Sequence, residues 1–172
     1  MNKIYNFSAG PAVLNQSVLK AMSEASIDYL GSGISLMEMS HRSELVMEMV
    51  SQTKILVRDL LSISNEYEVL FLQGGASLQF SMIPMNLLNE KQVADYADTG
   101  AWSNKAIKEA ENFGEVNVIC SSKDNTYNHI PKELKQNLDS TYLHLTSNNT
   151  IYGTQWKNFP IPLNKDSYLI AD

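Results

Sequence analysis

A single cysteine, Cys120, stands among the 172 residues, which excludes an internal disulfide and a cysteine-rich zinc site. It closes the apolar stretch Val116-Asn117-Val118-Ile119, where a buried and unreactive thiol is expected. Long hydrophobic runs are missing too. The opening Met1-Asn2-Lys3-Ile4-Tyr5-Asn6 lacks the apolar core of a signal peptide. No segment approaches the roughly 20 apolar residues of a membrane span, so the cytoplasm is expected and a membrane is not. Positive charge is scarce: 13 Lys and Arg against 19 Asp and Glu leave a net charge of −6. Such a chain has no basic field to neutralise a phosphate backbone, and nucleic acid is not an expected partner. A local pocket for a small anion stays open. No HExxH, CxxC or paired-carboxylate pattern occurs, and no metal site is expected. His129 and His144 lack partner spacing and read as structural or exposed.

Hydrophobic residues make up 44% of the chain, enough to bury a substantial core. Repeats and low-complexity tracts are absent, and the pattern alternates helix with strand. Val18, Met22, Ala25 and Tyr29 share one side of a helix over 17–30, with Gly31 and Gly33 ending it. A longer helix is expected over 43–61 and a short strand over 69–72. Gly74 and Gly75 follow, then a helical pattern carried by Phe80, Ile83 and Leu87, with Pro84 as a kink or near the first turn. Further strands are expected over 93–96, 116–120, 141–145 and 168–172. Ser103 is the expected cap of a helix to Phe113, stopped by Gly114. Pro131 is placed to open a short helix ending near Leu138. The alternation implies an α/β fold with a mostly parallel sheet flanked by helices. The last strand ends at Asp172, which reads as a cut within the sheet.

Several segments could carry chemistry. In Gln73-Gly74-Gly75-Ala76-Ser77 a strand runs through two glycines into a helix, a turn that lets N–H groups and a helix N-terminus meet an anion. A plain tight turn with Ser77 as a cap is the competing reading. Trp102, in Thr99-Gly100-Ala101-Trp102, could stack on a planar ring or pack as a lid. Asp172 sits at the carboxyl end of a strand, where open α/β sheets bind ligands, and could face a cationic ring nitrogen, face a metal or cap a turn. Ser147-Asn148-Asn149-Thr150-Ile151-Tyr152-Gly153 is rich in hydroxyl and amide groups, as a ligand loop or an ordinary turn would be. Arg42, beside His41 and ahead of a helix, could hold a carboxylate or phosphate bidentately.

Taken in order, these segments resemble the phosphoserine aminotransferase family, in the class-V branch of pyridoxal-phosphate enzymes. The resemblance begins at Asn6-Phe7-Ser8-Ala9-Gly10-Pro11-Ala12 and continues through Met37-Glu38-Met39-Ser40-His41-Arg42-Ser43. It runs on through Phe71-Leu72-Gln73-Gly74-Gly75-Ala76-Ser77-Leu78-Gln79-Phe80, Ala94-Asp95-Tyr96-Ala97-Asp98-Thr99-Gly100-Ala101-Trp102-Ser103 and Asn149-Thr150-Ile151-Tyr152-Gly153 to Ala171-Asp172. Residues 121–139 are the least distinctive.

The resemblance implies the large domain of the type I aminotransferase fold over 16–172, preceded by an N-terminal arm over 1–15. It implies pyridoxal 5'-phosphate as cofactor. Ala76 and Ser77 would bind its phosphate, Trp102 would stack on its ring, Thr150 would contact the ring substituents, and Asp172 would pair with the ring nitrogen. His41 and Arg42 would recognise acidic substrates, L-glutamate and 3-phosphohydroxypyruvate. The product would be O-phospho-L-serine, with a related reaction serving pyridoxine synthesis in many bacteria, and the enzyme would be a homodimer with active sites at its interface. The lysine that holds the cofactor as a Schiff base is expected beyond Asp172, so these residues alone are expected to be inactive. Another class-V enzyme, such as an alanine–glyoxylate aminotransferase or a cysteine desulfurase, is the nearest alternative. A non-catalytic α/β module binding a nucleotide or sugar phosphate is the more distant one.

Overall fold

The computed structural model describes residues 4–172, so the first three residues of the expected arm lie outside the described ones. The chain divides after Phe71 into two compact units.

The first unit holds two helices. Helix α1 (Gln16–Ala25) begins where the Asn15 side chain accepts the Ser17 N–H at 3.0 Å. It ends earlier than its apolar spacing predicts. The Ser26 hydroxyl donates to Met22 O at 2.8 Å, and the Asp28 carboxylate accepts the Gly33 N–H at 2.8 Å. Residues 26–34 therefore form a turn, with Leu30, Gly31 and Gly33 at positive φ. A 3₁₀ turn (Leu36–Glu38) carries a capping box in which Glu38 reaches back to the Ser35 N–H at 3.0 Å. Helix α2 (Glu44–Leu61) matches its prediction closely. Its last turn is tied down by Arg58, whose guanidinium donates to the Ser64 and Tyr67 carbonyls.

The second unit is a parallel sheet flanked by helices. Helix α3 (Gly75–Leu87) leads to β1 (Val93–Asp98), α4 (Ala101–Ala110), β2 (Glu115–Ser121) and β3 (Ser140–Leu145). A short antiparallel pair follows, β4 (Asn148–Asn149) with β5 (Thr154–Gln155), then β6 (Tyr168–Ala171). The main sheet runs β2-β1-β3-β6 with every pairing parallel. Both faces of its central strands are covered. Tyr96 and Tyr142 pack with Phe80, Ala106, Ile107 and Ala110 of the helices, while Ile119, Leu143 and Leu145 pack on the other side with Leu134 and Trp156. Ile107, Ile119, Leu143 and Leu145 each contribute about 1.5–3 kcal/mol by their burial.

Three further expectations are corrected. Residues 69–72 form no strand, because no other segment among the described residues pairs with them, and Leu70, Phe71 and Leu72 stay exposed. Residues 131–138 form no helix, because their backbone is committed elsewhere. The Lys135 N–H donates to Ile119 O at 2.8 Å, and the Asn137 N–H to the buried Asp95 carboxylate at 2.9 Å. Ser103 lies inside α4, whose cap is Gly100. Pro84 sits within α3 near its end.

Candidate active site

The strand order sets where a ligand can enter. From β1 the chain steps outward to β2, then crosses back to place β3 on the other side of β1, so the switch point lies between the carboxyl ends of β1 and β3. A cleft of about 420 Å³ opens there. Ala76, Ser77, Trp102, Thr150 and Asp172 all line it, together with Gly74, Gly75, Phe80 and the run Thr146-Ser147-Asn148. Five residues chosen from four separate motifs thus share one cavity.

One wall is the first turn of α3. Gly74 caps it at φ +89°, and no side chain satisfies the helix's leading N–H groups. A Cβ on Gly74 would stand 2.3 Å from Leu78 Cδ2, so this turn needs glycine for both its conformation and its space. The open N–H groups, the helix dipole and the Ser77 hydroxyl make this wall suited to an anion.

The opposite wall is the turn from β1 into α4. Ser103 Oγ accepts the N–H groups of Thr99 and Gly100, each at 2.9 Å. Asp98, buried at the end of β1, accepts hydroxyls from Ser121 at 2.8 Å and Tyr127 at 3.1 Å. Tyr127 in turn packs on Tyr152, with ring centroids 4.9 Å apart. The β4–β5 hairpin locks onto the same turn. Asn149 donates to Thr99 Oγ1 at 3.0 Å and the Thr154 hydroxyl to Thr99 O at 2.9 Å. That docking brings Thr150 to Trp102, whose indole N–H donates to Thr150 Oγ1 at 3.1 Å. The Lys105 ammonium stands 4.6 Å from the centroid of the Trp102 ring, a cation–π contact that helps hold it.

The floor is formed by β3 and β6. Asp172 is half-buried, and burial pushes its carboxyl above the ordinary carboxylate range. Among the described residues no Lys or Arg lines the cleft to offset that cost. Two residues before Thr146, His144 is buried against the Tyr96 ring at 4.7 Å and edge-on to Phe80, with neither ring nitrogen hydrogen-bonded among the described residues. Burial lowers its pKa to about 4, so the imidazole is neutral.

The aminotransferase class-V family matches residues 4–162 of the chain. The chain belongs to that family. It is 49% identical over 172 residues to a phosphoserine aminotransferase of Bacillus thuringiensis subsp. konkukian, a match covering 96% of this chain and 48% of that protein. The solved phosphoserine aminotransferase of Bacillus circulans subsp. alkalophilus superposes with a TM-score of 0.90 at 44% identity, over 98% of this chain and 47% of that one. A PLP-bound phosphoserine aminotransferase of Trichomonas vaginalis does so with 0.85 at 33%, over 98% and 47%. The chain spans about half the length of the relatives it matches.

Within this class-V chain, His41 and Arg42 belong to the first unit, exposed in the turn just ahead of α2. His129 is exposed and contacts Asn128, while His144 is a core residue, so both expected roles of these histidines occur. Among the described residues no cluster of His, Cys, Asp and Glu could hold a metal, and no helix is long and apolar enough to cross a membrane. Sequence reasoning gave no site role to Thr146 or Phe80, and it named Thr99 and Asn149 only as members of the 99–102 and 147–153 segments. Each is an ordinary residue type for a strand or helix, and only the strand order reveals that three chain segments meet around them.

Proposed function

We propose that the protein is a pyridoxal-phosphate-dependent phosphoserine aminotransferase, transferring the amino group of L-glutamate to 3-phosphohydroxypyruvate to give O-phospho-L-serine. The observation that carries this reading is the convergence of Ala76, Ser77, Trp102, Thr150 and Asp172 on one cleft. The cleft suits the cofactor on chemical grounds. A partly buried carboxyl with no cation beside it is stabilised by a protonated ring nitrogen. An uncapped helix N-terminus with a serine suits a phosphate.

Bound there, pyridoxal phosphate supplies an electron sink for the carbanion at the substrate's Cα. The chain's own residues prepare for this. Gly75, Ala76 and Ser77 offer N–H groups and a hydroxyl to the phosphate. The Trp102 indole offers a flat apolar face to the ring. Because Thr150 Oγ1 accepts the indole N–H, its own proton is free to donate to a ring substituent. Asp172 in ionised form retains the proton on the ring nitrogen. Arg42, with its planar fork, and His41 serve the acidic groups of the substrates.

On this reading residues 16–172 belong to the cofactor-binding large domain and 1–15 to an N-terminal arm. The working enzyme is a cytoplasmic homodimer with active sites between subunits. Among the described residues no lysine lines the cleft, and on this reading these 172 residues alone do not catalyse the transfer. Titrating pyridoxal phosphate against the protein, followed by quenching of tryptophan fluorescence, tests the site. Assaying the whole enzyme with glutamate and 3-phosphohydroxypyruvate, and separately with alanine and glyoxylate, tests the substrate. Turnover with alanine alone would sink the proposal.

A further inference from the structure

One cleft residue has no task in that reading. Thr146 is 2% exposed and lines the cleft, and its Oγ1 has no hydrogen-bond partner among the described residues. A buried hydroxyl left unpaired is destabilising and calls for a partner. The backbone shows which one is at hand. The Asp172 N–H donates to Leu145 O at 3.0 Å, and the Ser147 N–H donates to Asp172 O at 2.7 Å. In a parallel ladder those two bonds, to the residues on either side of Thr146, pair Asp172 with Thr146. The two side chains therefore leave the sheet on one face, from strands about 4.8 Å apart. Both line the same cleft. The Asp172 carboxylate accepts no hydrogen bond from any described residue, and its burial works against the ionised form that the cofactor reading requires. A hydroxyl donating to a carboxylate favours the ionised form.

We propose that the Thr146 hydroxyl, unpaired among the described residues, rotates about its Cα–Cβ bond to donate to the Asp172 carboxylate, holding it ionised and aimed at the ring nitrogen of the bound cofactor. Thr146 is then a positioning residue that acts through Asp172, and the inference rests on the pyridoxal-phosphate reading for its purpose. The titratable groups near the ends of the adjoining strands are His144 on β3 and Tyr96 and Asp98 on β1. None is hydrogen-bonded to Asp172, and among the described residues no Lys or Arg lines the cleft that could do the same work.

The test is a carboxyl titration of Asp172 by ¹³C NMR in the protein without cofactor, paired with pyridoxal-phosphate binding followed across pH. In Thr146→Val the Asp172 pKa should rise by about one to two units, the worth of one hydrogen bond to a charged group. The acidic limb of the binding curve should move up in pH with it. Thr146→Ser, which keeps the hydroxyl, should restore both. Thr146→Ala serves as a second hydroxyl-free variant, read in the same way if the valine does not fold. An unchanged Asp172 pKa in the hydroxyl-free variants, or an equal rise in the serine variant, overturns the proposal. Failure of the unaltered protein to bind pyridoxal phosphate overturns the cofactor reading instead, while the carboxyl titration still decides the Thr146–Asp172 pair.

Discussion

Replacing Gly100 by alanine should unlock the wall that carries Trp102 and Thr150. The backbone at Gly100 has φ 168°, extended and open to any residue, so the obstacle is purely one of space. An added Cβ would lie 2.1 Å from Asn149 Oδ1, 2.4 Å from its Cγ and 2.8 Å from its Cβ. Asn149 is fully buried and cannot simply swing into solvent. Overpacking of this kind costs about 1–3 kcal/mol. Displacing Asn149 also breaks its bond to Thr99 Oγ1, leaving a buried amide and hydroxyl unpaired for about 1–3 kcal/mol more. A loss of about 3 kcal/mol in urea unfolding is expected, with a change in tryptophan fluorescence as the Trp102–Thr150 bond lets go. The decisive arm is a double-mutant cycle with Asn149→Gly, which removes the three atoms nearest the new methyl. That single change should cost about 2–3 kcal/mol through the lost hydrogen bond and the added backbone freedom. Adding Gly100→Ala to it should cost nothing further, a favourable coupling of about 2–3 kcal/mol. Strict additivity, or a Gly100→Ala protein within about 0.5 kcal/mol of the parent, would refute the close approach as the reason for glycine.

Two further predictions concern buried groups. His144 has a folded pKa of about 4 against an ordinary 6.5, so its contribution to stability is complete above the upper value and is lost as pH falls towards the lower. That loss is about 3 kcal/mol between the two, and His144→Phe, which keeps the contact with Tyr96, should flatten this part of the pH–stability curve. Cys120 is half-buried, and burial together with the nearby Asp98 charge pushes its thiol up to about 11. Its alkylation by iodoacetamide at pH 8 should be slower by about a hundredfold in the folded protein than in urea, as follows from the smaller thiolate fraction; equal rates would contradict the assigned burial.

The cleft was far more legible in the sequence than the segments that hold it in place. Glycines before Ser77, the Trp after Gly100 and the acid ending a strand all mark turns at one end of a sheet, and their chain order carried the resemblance. Helix α2 was legible for a different reason, because an apolar face sustained over five turns leaves little choice of period. Residues 131–138 were not, since Pro131 and the spacing that follows satisfy a helix locally. Their N–H groups instead find Ile119 O and the Asp95 carboxylate, acceptors that exist only once the sheet has formed. Ser103 was read as a cap because serine caps helices, yet here it sits one turn in and receives the N–H groups of Thr99 and Gly100. Thr146 carries no mark at all in one dimension, and Asn149 only that of a polar loop. Their meaning comes from Asp172 on one neighbouring strand and from the Thr99–Gly100 turn on another.

The walls of the cleft come from Ser77, Trp102, Thr150 and Asp172, positions spread along nearly the whole second unit. Until β1, β3 and β6 have found one another there is no cavity for a ligand to enter. Occupancy therefore reports on assembly: a small molecule that saturates the cleft at a hundred times its dissociation constant should stabilise this unit by about 2.7 kcal/mol. A rise in melting temperature with ligand becomes a readout of whether the strands are correctly joined, usable during expression and purification before any turnover can be measured.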